Sequence, residues 1–295
     1  MKSLRRASAA AAAAVLLGAL ATVPATAATA TAAPATGSAA PCKLQLESVT
    51  SRGDAPNTTV TAAAPPTAKT VAGPHLFSPG AARISSTWRW TPSNDAYVVL
   101  GAWLYQVSWG YDEMTGELYV YPNPVGGGWD KFTMFEQATY GSPAVRIARY
   151  GLRNDGVLFR WTSWKNVHQY AGFASVKTMT LISETRTYDT FLATTRGGAL
   201  YTIHIPADTR LRPTVKKVRT STWQGFETLV AERCGAQSTL LMAIDKDTGA
   251  AYLYAVGHAN GAATVIKGLG KVPGTYRDPV ISRWVQDDAP NRNGE

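Results

Sequence analysis

The chain has 295 residues, 45% of them hydrophobic, and its 29 Lys and Arg against 20 Asp and Glu give a net charge of +9. This length allows one domain with a sizeable core. The basic residues are scattered and no nucleic-acid-binding module is recognisable, so nucleic acid is not an expected partner. One basic cluster is interpreted as a solvated strand face, with an anionic polymer as the alternative partner: Arg210, Arg212, Lys216, Lys217 and Arg219.

The N-terminus has the three parts of a secretory signal peptide. A basic region ending at Arg5-Arg6 precedes an apolar run from Ala9 to Leu20, and a small-residue cleavage site follows at Ala25-Thr26-Ala27. The apolar run is shorter than the roughly 20 residues that span a bilayer, so no membrane contact is expected. Residues 1–27 are therefore predicted to be cleaved, and the mature protein is predicted to be secreted and extracellular. It is also expected to be a monomer.

Residues 28–70 are rich in Ala, Thr and Pro and are predicted to be largely disordered, including a second low-complexity stretch from Thr58 to Thr70. The folded domain is expected to cover residues 71–295. An even number of cysteines in an oxidising compartment predicts a disulfide between Cys42 and Cys234, with two free thiols as the alternative. This bond would pin the N-terminal segment to the folded domain.

A short pattern, Gly-x-(Leu/Ala)-(Tyr/Phe), recurs about every 40 to 50 residues, which is the period of propeller blades. Before each internal copy lies a run of strand-forming residues followed by turn-forming residues, the order expected of a hairpin. No window has sustained helical periodicity, so the fold is predicted to be all-β. The pattern begins at Gly73, with one extra residue, and at Gly116, Gly156, Gly198 and Gly249; the strand-like runs cover 96–106, 144–150, 188–194 and 238–244.

The two ends of the domain each carry part of a repeat. The segment 275–284 resembles 139–150, and the chain stops where the next hairpin turn belongs, while the copy near Gly73 begins where that hairpin would resume. The prediction is a five-bladed β-propeller with one blade closed by both termini, an arrangement that removes exposed sheet edges. A six-bladed ring that uses residues 42–70 and an open β-solenoid are the alternatives.

An aromatic residue with a neighbouring glycine follows each hairpin, and the clearest copy is Gly128-Trp129-Asp130-Lys131-Phe132. Together with the Gly-x-Leu-Tyr strands and the period, residues 73–295 resemble the tachylectin-2-type propeller lectins. The resemblance implies a five-bladed ring that binds N-acetylated amino sugars, such as N-acetylglucosamine, in clefts between adjacent blades.

Tryptophan is the main functional signal, because a sugar ring stacks its C–H face on an indole while neighbouring polar groups bind its hydroxyls. The chain has nine Trp residues. The candidate ligand-binding residues are Trp129, Trp161, Trp164 and Trp223, with the polar neighbours Asp130, Asn166 and Gln224. The predicted function is therefore carbohydrate binding, as a lectin of cell-wall or environmental glycans, and not catalysis.

Two other function classes remain open at this stage. A secreted glycoside-active enzyme would use paired carboxylates, for which Asp95, Glu184 and Asp189 are the candidates. A protein-interaction propeller would have no sugar affinity. No cofactor or metal is predicted, because the four histidines are dispersed and the calcium-loop-like segment 245–249 lacks the later acidic ligand and is interpreted as a hairpin turn.

Overall fold

The computed structural model describes residues 41–141 and 143–295. The predicted signal peptide and residues 28–40 lie outside this part of the chain. Within it the chain is nearly all β, with two short 3₁₀ helices at Trp129–Lys131 and Gly261–Ala263. The strands of the first half are β1 (Lys43–Val49), β2 (Asn57–Thr61), β3 (Thr67–Val71), β4 (Ala82–Ser85), β5 (Trp88–Trp90), β6 (Asn94–Leu100), β7 (Trp103–Tyr111), β8 (Leu118–Gly127), β9 (Phe132–Tyr140) and β10 (Arg146–Arg153). Those of the second half are β11 (Leu158–Ser163), β12 (Asn166–Tyr170), β13 (Val176–Glu184), β14 (Tyr188–Thr195), β15 (Leu200–Pro206), β16 (Thr214–Arg219), β17 (Thr228–Cys234), β18 (Ser238–Asp245), β19 (Ala250–Val256), β20 (Ile266–Val272) and β21 (Val280–Gln286).

Three sheets are four-stranded and antiparallel, and each is built from consecutive strands. We call them unit II (β9–β12), unit III (β13–β16) and unit IV (β17–β20). The fourth sheet has nine strands and contains two similar groups, unit V (β21, β1, β2 and β3) and unit I (β4, β6, β7 and β8). Strand β5 joins these groups by pairing in parallel with β21 and antiparallel with β6.

The first strands of the units contact one another in the order β4, β9, β13, β17 and β21, and β21 also contacts β4. All five line one cavity of about 190 Å³. Apolar clusters fill the spaces between consecutive units, as between unit II and unit III, where Leu158 and Phe191 are fully buried. The arrangement is consistent with a propeller-like fold.

Position within a unit explains the composition of each strand. The second strands β6, β14 and β18 are covered on both faces and carry unbroken apolar runs, such as Phe191–Ala193 in β14. The fourth strands lie at the sheet edge and are polar or exposed, as in β16. Strand β8 carries Pro122 and Pro124, which an edge strand tolerates because one side of its backbone makes no ladder hydrogen bonds.

The repeat predicted from the sequence is in register in three units only. The turns between the second and third strands contain Gly156, Gly198 and Gly249, as predicted, and all three have positive φ. Two copies were out of register: Gly116 precedes the fourth strand of unit I, and Gly73 follows β3. The true turn glycine of unit I is Gly101, which divides the run 96–106 into two strands.

The prediction that Thr58 to Thr70 is disordered is wrong. This stretch contributes β2 and β3, which pair with β1 in unit V, and Val60 is fully buried. Thr and Val favour a half-buried strand, and the ladder satisfies the backbone groups that a disordered chain leaves to water. Strands are therefore present from Lys43 onward, well before residue 71. One sheet does contain strands from both ends of the described chain, but those strands are β21 and β1–β3.

The predicted disulfide is confirmed. Cys42, just before β1, is bonded to Cys234 at the end of β17, 192 positions further along the sequence. The bond thus joins unit V to unit IV. Its removal in the double variant Cys42→Ser/Cys234→Ser is expected to lower the free energy of unfolding by about 3 kcal/mol, because the unfolded chain regains the freedom that the cross-link removes.

Urea unfolding of both proteins, with and without reductant, checks this expectation. Reductant should destabilise the parent protein and leave the double variant unchanged. Equal stability of the two proteins in the absence of reductant would contradict the prediction.

Candidate functional site

Each unit is linked to the next by a buried residue in the loop after its fourth strand. The backbone N–H of this residue donates a hydrogen bond to the turn between the second and third strands of its own unit. The pairs are Trp129 to Ala102 at 3.0 Å, Phe173 to Gly156 at 3.0 Å, Trp223 to Gly198 at 3.0 Å, Tyr276 to Gly249 at 3.0 Å and Phe77 to Gly53 at 3.2 Å. The approach is close: a Cβ on Gly156 would lie 2.1 Å from the backbone nitrogen of Ala174. Glycine therefore permits this contact.

Two of the predicted ligand-binding tryptophans occupy these linking positions. Trp129 is 6% exposed and Trp223 is 5% exposed. The ring centroid of Trp129 lies 5.5 Å from that of Trp161, and the ring of Trp223 lies 5.1 Å from that of Tyr254. Neither tryptophan offers a ring face to a ligand, so the prediction that they stack on sugars is wrong. Their role is to pack one unit against the next.

The structure brings the other two tryptophans together in unit II. The rings of Trp161 and Trp164 are 5.9 Å apart, Trp161 is half-buried, and Trp164 is 36% exposed. The guanidinium carbon of Arg149 lies 4.8 Å from the Trp164 ring centroid, and Arg149 also donates a 3.1 Å hydrogen bond to the hydroxyl of Tyr97. Trp164 is therefore an exposed ring on a fixed support at the interface between units I and II.

The predicted polar residues are exposed but are not gathered into one site. Asn166 opens β12, two residues after Trp164. Asp130 and Gln224 lie instead in the linking loops after units I and III. Their backbone carbonyls accept hydrogen bonds from Arg83 and Lys177, respectively.

An open cleft of about 300 Å³ lies between the loop after unit II and the sheet of unit III. The half-buried Tyr201 ring and the exposed Val215 belong to its wall, and the hydroxyl-bearing residues Ser175 and Thr195 also line it. The full lining is Gly172, Phe173, Ser175, Val176, Ala193, Thr195, Gly197, Tyr201, Ile203 and Val215. The cleft combines an aromatic ring with hydroxyl groups and backbone amides from two glycines.

One side-chain position next to this cleft distinguishes unit III from units II and IV. The fifth residue after the turn glycine is Trp161 in unit II and Tyr254 in unit IV. Each of these rings packs against the buried aromatic residue in the linking loop of the preceding unit. The equivalent residue in unit III is Ile203, which is shorter than either ring. Space that an aromatic ring fills in units II and IV therefore stays open in unit III.

Unit V has a smaller cleft in the equivalent place. The residue corresponding to Ile203 there is Thr58, and it lines a pocket of about 90 Å³ together with Pro56, Thr70 and the linking residue Tyr276. A cleft beside the linking loop thus occurs in units III and V, where this position of the third strand is not aromatic. The smaller cleft lies beside the smaller residue, so this position alone does not set the volume. Aligning the turn glycines of the repeats would have identified this position from the sequence, whereas counting tryptophans did not.

The three carboxylates of the enzyme alternative are engaged in structural contacts. Asp189 is fully buried, forms a salt bridge with Arg146, and accepts a 2.6 Å hydrogen bond from the hydroxyl of Tyr150. Glu184 is 2% exposed and pairs with Arg292. The half-buried Asp95 accepts hydrogen bonds from three hydroxyl groups, those of Thr91, Ser93 and Ser108. None of the three is presented to a substrate.

One acidic group of residues has oxygens close enough for a cation. Atoms of Glu227, Asp245 and Asp247 lie within 4.8 Å of one another. However, the Glu227 carboxylate pairs with Lys177 and accepts the backbone N–H of Lys246, while Asp245 accepts the N–H of Thr248. These contacts are those of a hairpin turn, as the sequence predicted for residues 245–249.

Comparison of the chain with models of protein families and with curated proteins finds no match. In the described ranges, no helix is long and apolar enough to cross a membrane.

Proposed function

We propose that this protein is a secreted five-bladed β-propeller that binds N-acetylated amino sugars in the cleft of unit III. The blade count is supported by the order in which the first strands contact one another and by the apolar clusters between consecutive units. Secretion is supported by the predicted signal peptide and by the disulfide, which is typical of proteins that fold outside reducing compartments.

The cleft of unit III carries the functional part of the proposal. A sugar ring needs an apolar surface for its C–H face and polar groups at its edge, and Tyr201 together with the exposed Ser175 offers both. The location between two blades agrees with the resemblance to tachylectin-2-type lectins. Trp164, exposed between units I and II, is a second stacking candidate of the same kind.

The decisive variant is Tyr201→Ala. Binding of N-acetylglucosamine, measured by isothermal titration calorimetry, is expected to weaken about tenfold, because the stacking surface is lost. The matched control is Tyr252→Ala: Tyr252 is the corresponding residue of unit IV, where Tyr254 fills the space. This control should bind the sugar as the parent does.

A second variant blocks the cleft without removing a contact. A Cβ on Gly197 would have no neighbour within 4 Å, so Gly197→Leu places a side chain at the cleft with little strain. It should abolish sugar binding and leave the thermal unfolding temperature unchanged. Sugar binding that survives both Tyr201→Ala and Gly197→Leu would place the site elsewhere, and a folded protein that binds no amino sugar would refute the proposal.

A further inference from the structure

We propose that the unit III cleft selects an N-acetylated amino sugar that carries a carboxylate, and that Lys217 is the residue that recognises this group. The inference rests on the proposed function, and it adds a charge requirement that the resemblance to a lectin family does not contain. Its basis is the face of the sheet on which Lys217 lies.

Strand pairing places Lys217 beside the cleft. Tyr201 is directly opposite Lys217, and Ile203 is directly opposite Val215, in the antiparallel pair of β15 and β16. Side chains of directly opposed residues share one face of a sheet. Tyr201, Ile203 and Val215 all line the cleft, so Lys217 projects from the same face at its rim.

Lys217 is held there without an acidic partner. Its Nζ lies 5.8 Å from the centroid of the Tyr201 ring, within the range of a cation–π contact. The side chain is exposed, and it takes part in none of the salt bridges of the described residues. The ring that would stack on a sugar is therefore also the ring that positions a free ammonium group.

A second cation, Arg196, lies next to the lining of the cleft. No acidic residue lines the cleft. Arg196 lies between the lining residues Thr195 and Gly197, and its Nη1 donates 2.7 Å hydrogen bonds to the carbonyls of Ala174 and Val176 in the facing loop. Two cations thus flank a cleft whose wall is uncharged. A neutral sugar gains nothing from this arrangement, whereas a carboxylate does.

The basic cluster noted in the sequence divides between the two faces of β16. Lys216 is opposite Thr202 and Lys217 is opposite Tyr201, so the two lysines point to opposite sides of the sheet. Both are exposed. Lys216 is therefore a matched control for Lys217, with the same charge, strand and exposure but away from the cleft.

The test compares two probes that differ by the charge of interest. N-acetylmuramic acid is N-acetylglucosamine with an added lactyl ether, which carries a carboxylate. Calorimetry on the full chain should show that it binds about threefold more tightly than N-acetylglucosamine at low salt, as expected for one exposed charge pair. At about 0.5 M NaCl the preference should disappear, because salt screens the charge.

Variants assign the preference to one residue. Lys217→Met should bind both probes equally, with the affinity of the parent for N-acetylglucosamine, and Lys216→Met should keep the preference. Equal affinity of the parent for both probes would overturn this inference and leave the proposed function standing. The same loss in both lysine variants would also overturn it, since it would indicate a general charge effect. Failure of both probes to bind would refute the proposed function itself.

Discussion

Replacing Arg292 with methionine is expected to lower the free energy of unfolding by about 3 to 5 kcal/mol, one of the largest single-residue effects in the protein. Arg292 is 1% exposed and its Nε lies 3.2 Å from Glu184 Oε1. The substitution leaves the buried carboxylate of Glu184 without its nearest cation. An ionised carboxylate in that position is desolvated, and no other ion pair of equal quality stabilises it.

The remaining contacts of Glu184 do not compensate for this loss. Arg89 is 3.9 Å from the Glu184 carboxylate, and the backbone N–H of Thr139 donates a 3.1 Å hydrogen bond. Burial works to raise the pKa of Glu184, but Arg292, Arg283 and Arg89 outweigh it and hold the pKa below its usual value. The ionised form is thus the one the fold accommodates, and it depends on the full set of arginines.

Urea unfolding at pH 7 measures the effect, and the chain contains a suitable control. Arg210 pairs with Asp208 at the surface, where its side chain is 87% exposed, so Arg210→Met should leave the stability nearly unchanged. The double variant Glu184→Met/Arg292→Met should be more stable than Arg292→Met alone, because it removes the stranded charge. A cost below about 1 kcal/mol for Arg292→Met would show that the pair contributes little.

The hairpins of the repeat were predictable from the sequence, whereas the register of the units was not. Turn glycines followed by large residues mark a local event, the start of the strand after a tight turn, and Gly156, Gly198 and Gly249 show it. Whether that strand is the third or the fourth of its unit depends on pairing with distant residues. Gly116 has the same local signal as Gly156 and precedes an edge strand.

Segment 43–71 shows how tertiary pairing overrides composition. In isolation, a stretch of Thr, Ala and Pro buries too little apolar surface to fold. Here β1 pairs with β21, β2 extends the sheet, and the disulfide at Cys42 fixes the start of β1. The partner strand is more than 200 residues away, and nothing local in the segment indicates it.

The candidate site was only partly predictable, because one residue type serves two purposes. Trp129 and Trp164 have the same side chain, yet one packs between units and the other is exposed. The cleft itself lies at Ile203, a position that is aromatic in units II and IV. Aromatic side chains at this position mark the packing between units. The smaller residue that replaces them in unit III marks the cleft.

Replacing Glu47 with glutamine is the second change with a large expected effect, a gain in stability that depends on pH. Glu47 lies in β1 and is 2% exposed. Its Oε2 accepts a 3.2 Å hydrogen bond from Asn57, while its Oε1 is buried with no hydrogen-bond partner in the described part of the chain. Burial raises the pKa of Glu47 from 4.5 to about 8, against the smaller, opposite effect of Asn57. The folded protein therefore holds this side chain neutral at pH 7.

The sign of the effect follows from the folded pKa being higher than the unfolded one. Below about pH 4.5 Glu47 is protonated in the folded and in the unfolded protein, so folding buries no charge at this position. As the pH rises from 4.5 to about 8, the unfolded state loses the proton first, and the stability falls by roughly 1.4 kcal/mol for each pH unit. Glutamine resembles the protonated side chain and does not titrate, so Glu47→Gln should match the parent at pH 4 and exceed its stability by about 5 kcal/mol above pH 8.

Urea unfolding of the parent and Glu47→Gln from pH 4 to pH 9 isolates this group, because every other titrating residue is common to both proteins. Glu117→Gln, which removes an exposed carboxylate, is the matched control and should change the stability little. A difference for Glu47→Gln that does not change with pH would mean that Glu47 is ionised in the folded protein at pH 7. The strand β1 would then have to admit water or a cation beside Oε1, since an unpartnered carboxylate oxygen cannot otherwise remain charged at that depth.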